Sequence, residues 1–191
     1  MTSFWTGERV RLRAIEPDDW SALMRFDEDS EYQRAGNAVS PPRSADWYRG
    51  WSKEQAAAKS DGDTFQLAVE ALDTGELVGL VGSYEADPRA GRFTAGITIG
   101  TEYQRQGYAA EAAILLLRYM FTERRFHKCE TRAYAYNEPS LALQRRLGFV
   151  EEGRLRYHTY QAGRHHDLVL MGMLAEEFTH LHPATDDTAP S

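Results

Sequence analysis

Between Arg9 and Ile15, Val10, Leu12 and Ala14 fall on alternate positions, the pattern of a first β-strand with one apolar face. Pro17-Asp18-Asp19 then opens a helix through about Phe26, with proline near the first position and acids in the first turn. Ser44 is placed to cap a second helix through about Ala58. Phe65 to Val69 alternates at period two, the turn Asp73-Thr74-Gly75 follows, and Leu77 to Val81 completes a hairpin. Phe93, Ala95, Ile97 and Ile99 alternate with Thr94, Gly96, Thr98 and Gly100, which predicts a fourth strand.

The strongest helical signal runs from about Gly107 to Phe121. Ala110, Ile114, Leu117 and Phe121 are spaced 4, 3 and 4 apart, and Ala113, Leu116 and Met120 form a second stripe, so this helix should be buried on more than one side. A strand is expected at Lys128 to Ala135, then a short helix from about Glu138 to Leu147. Gly148 stands where a left-handed residue closes that helix, with Phe149 placed to fold back on it. Two last strands, near Gly153 to Tyr160 and Leu168 to Met173, flank the turn Gln161-Ala162-Gly163. The order predicts an α/β (α+β) fold, a mixed central sheet of about seven strands flanked by helices. No repeat or linker divides the chain, so one domain over residues 1–178 is expected. His180 to Ser191 is short of large apolar residues and holds Pro183 and Pro190, so 179–191 reads as a flexible tail.

Composition narrows the function classes. Apolar residues make up 42% and charged residues 27% of the chain, an ordinary globular balance. The net charge of −7 argues against sequence-independent nucleic-acid binding, which needs a basic footprint, and suits a cationic amine as substrate. The single cysteine, Cys129, cannot form an intrachain disulfide, which fits a reducing compartment. The N-terminus lacks the apolar block of a secretory signal, and Ala112 to Leu117 is far shorter than the roughly 20 residues that span a bilayer. A soluble cytoplasmic protein with no membrane or nucleic-acid partner is the expectation.

Two segments could carry chemistry. Gln104-Arg105-Gln106-Gly107-Tyr108-Ala109 lies between a strand and the long helix, where unpaired N–H groups and partial positive charge favour a phosphate. Gly107 and Ala109 would let it approach. The same residues also read as an ordinary strand-to-helix turn. Asn137-Glu138-Pro139-Ser140 reads as a helix cap with proline in the first turn, or as a polar edge bonding an amide-bearing ligand. His165-His166 with Asp167, and His127 with Cys129, lack convincing metal-ligand spacing, so no metal is expected.

In order, these segments resemble the GNAT superfamily of acetyltransferases, and within it the Rim-type ribosomal-protein N-acetyltransferases. The resemblance covers about Arg9 to Met173. It rests on Gly96 to Gly100 (GITIG), Tyr103 to Glu111 (YQRQGYAAE), Asn137 to Ser140 (NEPS), Leu147-Gly148-Phe149, Glu152 to Arg156 and Gly163 to Asp167. It implies acetyl-CoA as co-substrate and splayed strands at the cofactor site. Backbone groups of Ile97, Thr98 and Ile99 would pair with the pantetheine arm, and one of their N–H groups would hold the developing oxyanion. Gln104, Arg105, Gln106, Gly107, Tyr108 and Ala109 would cradle the pyrophosphate. Asn137 would bond the pantetheine, and Ser140 would lie near the sulfur. The implied acceptor is a primary amine, either a protein N-terminus or a small molecule, and the implied assembly a monomer or homodimer.

The chain departs from the pattern at Gln144, where many relatives carry a tyrosine proposed to protonate the leaving thiolate. General acids are worth about 10²–10⁴-fold, but a thiolate of pKa near 8.5 leaves without full protonation, and Ser140 at a positive helix end could stabilise it. That departure keeps open an alternative, a CoA-binding sensor with impaired catalysis. His158, Glu85 and Asp167 are candidates for the base, with His158 favoured as catalytic because it lies on the strand after the pantetheine helix.

Overall fold

The computed structural model describes residues 3–36, 38–59 and 62–183. The strands are β1 (Val10–Arg13), β2 (Phe65–Ala71), β3 (Leu77–Asp87), β4 (Arg92–Ile99), β5 (Lys128–Tyr134), β6 (Val150–Gln161) and β7 (Arg164–Leu174). The helices are α1 (Trp20–Asp27), α2 (Ser30–Gly36), α3 (Ala45–Ala57), α4 (Tyr108–Arg118), α5 (Glu138–Leu147) and α6 (Ala175–Leu181). All seven strands join one mixed sheet in the order β1-β2-β3-β4-β5-β7-β6. Among these helices none is long and apolar enough to cross a membrane.

Strand alternation sends successive side chains to opposite faces, so the sheet buries two separate clusters. Val69 and Val81 join Phe93, Leu116, Leu117 and Met120 on the α4 side. Their neighbours Ala68 and Leu80 join Ile15, Leu23, Phe26 and Tyr48 under α1 and α3. The layer of α4 therefore lies opposite that of α1 and α3.

One pairing differs from the rest. Neighbouring strands run antiparallel except β4 and β5, which are parallel and matched only at Arg92↔Lys128, Phe93↔Cys129 and Thr94↔Glu130. From Ala95 and Thr131 onward the two strands diverge, and the sheet opens between them.

Several boundaries differ from the sequence reading. Helix α2 was not expected, because none of its residues is buried and it carries no apolar period. β3 runs on to Asp87, well past Val81, and its last residues are no longer fully buried. The long helix ends as α at Arg118, and Tyr119–Glu123 form a π turn. The expected tail starts inside α6, which continues to Leu181 because Phe178 is buried and His182 bonds the Leu147 carbonyl at 2.9 Å. Residues 184–191 lie outside the described residues.

Candidate active site

Where β4 and β5 part, a cleft of about 280 Å³ opens, walled by Ile97 and Thr98 of β4, Thr131 of β5, and Ser140 and Gln144 of α5. Its β4 wall is shaped by glycine. A Cβ on Gly96 would stand 2.9 Å from the Tyr84 ring, and one on Gly82 would stand 2.9 Å from the Tyr84 hydroxyl. The ring thus lies across both strands, and its hydroxyl accepts a 2.9 Å bond from Gln66. Burial pushes the Tyr84 phenol above its usual pKa.

The start of α4 is a second site. Arg105 (φ 64°) and Gly107 (φ 89°) both adopt left-handed backbone, turning the loop tightly into the helix. No side chain caps α4, and the first in-helix bond is made by Glu111, so the N–H groups of Tyr108, Ala109 and Ala110 have no intrahelical acceptor. Glu111, although in the first turn, is turned away. Its carboxylate accepts the backbone N–H groups of Glu8, Arg9 and Val10 at 2.7, 2.8 and 2.8 Å. Beside it an open groove of about 1110 Å³ is lined by Arg9, Arg105, Arg118 and Arg146. Against Glu8 and Glu111, which also line it, these four guanidinium groups leave the groove net positive in a chain of net charge −7, a local anion seat.

The expected site residues divide accordingly. Ile97, Thr98 and Ser140 line the cleft, whereas Arg105, Gln106 and Gly107 line the groove. Ile99 is buried, and its carbonyl takes the Gln104 amide at 3.3 Å, which closes the turn from strand to helix. The Tyr108 ring is buried in the core and Ala109 is half-buried, so both offer the loop only their backbone.

Two of the expected residues stand apart from the cleft. Asn137 is a helix cap: its Oδ1 accepts the Ser140 N–H at 3.2 Å and its Nδ2 donates to the Ala35 carbonyl at 3.4 Å, which leaves one lone pair and one N–H of the amide. It does not line the cleft. His158 does not reach the cleft either. It is exposed on the edge strand β6, where the register with β7 breaks between Leu155 and Thr159. Of the other base candidates, Glu85 is held by both terminal nitrogens of Arg132, at 3.2 and 2.6 Å, and Asp167 accepts the Tyr157 N–H at 3.0 Å. Residues that sequence reasoning passed over are Arg9, Glu111, Tyr84 and Thr131. Their partners are distant in sequence, and no local pattern marked them.

A family model described as an acetyltransferase (GNAT) domain matches residues 9–150. The chain belongs to the GNAT acetyltransferase family. It is 35% identical to the SPbeta prophage-derived uncharacterized N-acetyltransferase YokL of Bacillus subtilis over 178 residues, covering 92% of this chain and 96% of that one. It is 30% identical to the putative ribosomal N-acetyltransferase YdaF of the same organism over 179 residues, covering 90% and 94%. The structure of spermidine N-acetyltransferase from Vibrio cholerae in complex with CoA and spermine shares the fold, with a TM-score of 0.77 at 24% identity, covering 90% and 99% of the chains.

Family membership makes this protein an acetyl-CoA-dependent N-acetyltransferase, and the geometry fits that co-substrate. The cleft offers β4 an edge without a strand partner from Ala95 onward, and the uncapped α4 start with its arginines suits phosphates. The GNAT enzyme's one cysteine is no nucleophile. Cys129 is wholly buried in β5, and desolvation pushes its thiol pKa up. Because the folded pKa lies above the unfolded one, the stabilising preference for the neutral thiol is complete below the unfolded value of about 8.5 and is lost as pH rises beyond it. Melting temperatures should therefore fall between pH 8 and pH 10, and Cys129→Ala should flatten that slope while retaining transferase activity. A variant whose melting curve falls as steeply as the parent's would refute this.

Proposed function

We propose that this GNAT enzyme acetylates the α-amine of a peptide or protein N-terminus by direct transfer, without a covalent enzyme intermediate. Acetyl-CoA supplies the acetyl group as a thioester. The α4 start and its arginines hold the phosphates, backbone N–H groups of Ile97 to Ile99 stabilise charge on the acetyl oxygen, and Ser140 faces the leaving sulfur.

The observation that carries the acceptor class is the charge of the cleft. No carboxylate lines it among the described residues, and its one charged side chain is Arg132, already paired with Glu85. An α-amine of pKa about 7.8 is roughly one-seventh neutral at pH 7, a deprotonation cost of about 1 kcal/mol, which water can meet. A lysine amine, near 10.4, costs about 4.6 kcal/mol and needs a committed base. A polyamine further needs carboxylates for its remaining charges. The name of YdaF points the same way, toward a ribosomal acceptor.

The test is a panel of free N-terminal peptides, the same peptides with blocked N-termini and an internal lysine, and spermidine, read by CoA thiol release. Free N-termini should exceed both others in kcat/KM by at least about 100-fold, since the 3.6 kcal/mol difference in deprotonation cost is worth somewhat more than that. Spermidine or lysine as the better substrate would overturn the acceptor class. Tight CoA binding with no amine-dependent thiol release would favour the sensor alternative.

A further inference from the structure

The wall of the cleft holds a chain of three polar side chains with a defined direction. Thr131 sits on β5 just past the last residue matched to β4, and its hydroxyl donates to Gln144 Oε1 at 2.7 Å. Gln144, one turn after Ser140 on α5, donates from Nε2 to Ser140 Oγ at 3.0 Å. Thr131 and Gln144 are each only 8% exposed, so these bonds form out of bulk water. A serine hydroxyl has one proton and two lone pairs. With a lone pair of Oγ taken by Gln144, and no acceptor for its own proton among the described residues, Ser140 can turn that proton into the cleft, whose wall all three residues share.

We infer that Thr131 and Gln144 are positioning residues that hold the Ser140 hydroxyl as an aimed donor to the departing thiolate. This rests on the reading of the cleft as the seat of the thioester. As the C–S bond breaks, its electron pair goes to sulfur, and the Ser140 O–H donates a hydrogen bond to it without transferring the proton. Chains of hydrogen bonds polarise one another, so Thr131 strengthens the donor two links away. Gln144 therefore serves the leaving group without being an acid.

Were the Gln144 amide turned over, Oε1 would accept the Ser140 proton and withdraw it from the cleft. The other titratable groups lining the cleft are Arg132 of β5, paired with Glu85, and Tyr84 of β3, kept neutral by burial. None of the substitutions below touches either.

The experiment titrates the thiol of CoA bound to the full-length protein, by thiolate ultraviolet absorbance, and so needs no acceptor. In the parent protein the bound thiol should titrate below that of free CoA measured alongside. Ser140→Ala and Gln144→Met should each raise it by about one unit, a tenfold loss of thiolate. Thr131→Val should raise it less, and Thr131→Val combined with Gln144→Met should match Gln144→Met alone. Should the methionine variant fold poorly, Thr131→Val tests the relay without adding a charge beside the sulfur.

A bound thiol insensitive to Gln144 but raised by Ser140→Ala would overturn the relay and leave Ser140 at the sulfur. Insensitivity to both would overturn the relay and the placing of Ser140. Failure of the parent protein to bind CoA would sink the acetyl-CoA reading of the cleft, and the relay with it.

Discussion

Gly107→Glu should abolish measurable CoA binding while the sheet and core persist. Gly107 sits at φ 89°, a left-handed conformation that costs a residue with a Cβ about 1–2 kcal/mol. The space itself tolerates a side chain, since the nearest atom to a Cβ there is Arg9 Cδ at 3.5 Å. The larger effect is charge. A carboxylate about 5 Å from one phosphate charge, at an effective dielectric near 20, opposes binding by about 3 kcal/mol, or more than 100-fold in affinity. Gly107→Ala separates the two contributions, because it carries the backbone strain without the charge. Calorimetry should find CoA binding to the alanine variant weakened modestly and to the glutamate variant lost. Equal affinities in the two variants would place the phosphates elsewhere.

Glu111→Ala should be the most destabilising single change outside the apolar core. The Glu111 carboxylate gathers three backbone N–H groups from the segment entering β1, more than 100 residues earlier in the chain. Val10 is wholly buried, so its N–H would be left without a partner. Hydrogen bonds to a charged group are worth about 1.5–3 kcal/mol each, and partial exposure of this cluster brings the expected loss to about 3 kcal/mol for the set. For a chain of this size that is a fall of about 6–12 °C in melting temperature. Glu111→Gln should lose most of the same stability, since its amide presents a donor to donors. Both variants should also weaken CoA binding, because releasing the segment frees Arg9 from its place beside Gly107, where its guanidinium reaches the Gln106 carbonyl at 3.4 Å. A thermal scan unchanged within a degree would rule out this anchoring role.

These two residues stand a turn apart on one helix, yet only one was legible in advance. Gly107 announced itself through local chemistry, a small residue opening an apolar helix. Glu111 carried no signal of its own, because its partners come from the other end of the chain. The same contrast holds elsewhere. Helix α5 was legible to the residue, from the Asn137 cap to Gly148 at φ 103°, since the bonds that end it span only three to five positions. Helix α2 escaped notice because it buries nothing. His158 was favoured for its place on a strand, but whether that strand reaches the cleft depends on sheet order. β6 is the outermost strand, beyond β7.

By itself, the order of residues determined the seven strands, the helices α1, α3, α4 and α5, the left-handed glycine that closes α5, and the family resemblance that names the co-substrate. Those features follow from side-chain periodicity and backbone preference, which act within a few residues. Only the tertiary structure decided where β4 and β5 part, that Asn137 stands outside the cleft as a helix cap, and that Thr131, Gln144 and Ser140 join in one hydrogen-bonded chain. Each of those depends on which distant groups are brought within 3 Å of one another, and hydrogen bonding falls off too steeply with distance and angle for sequence spacing to foretell it.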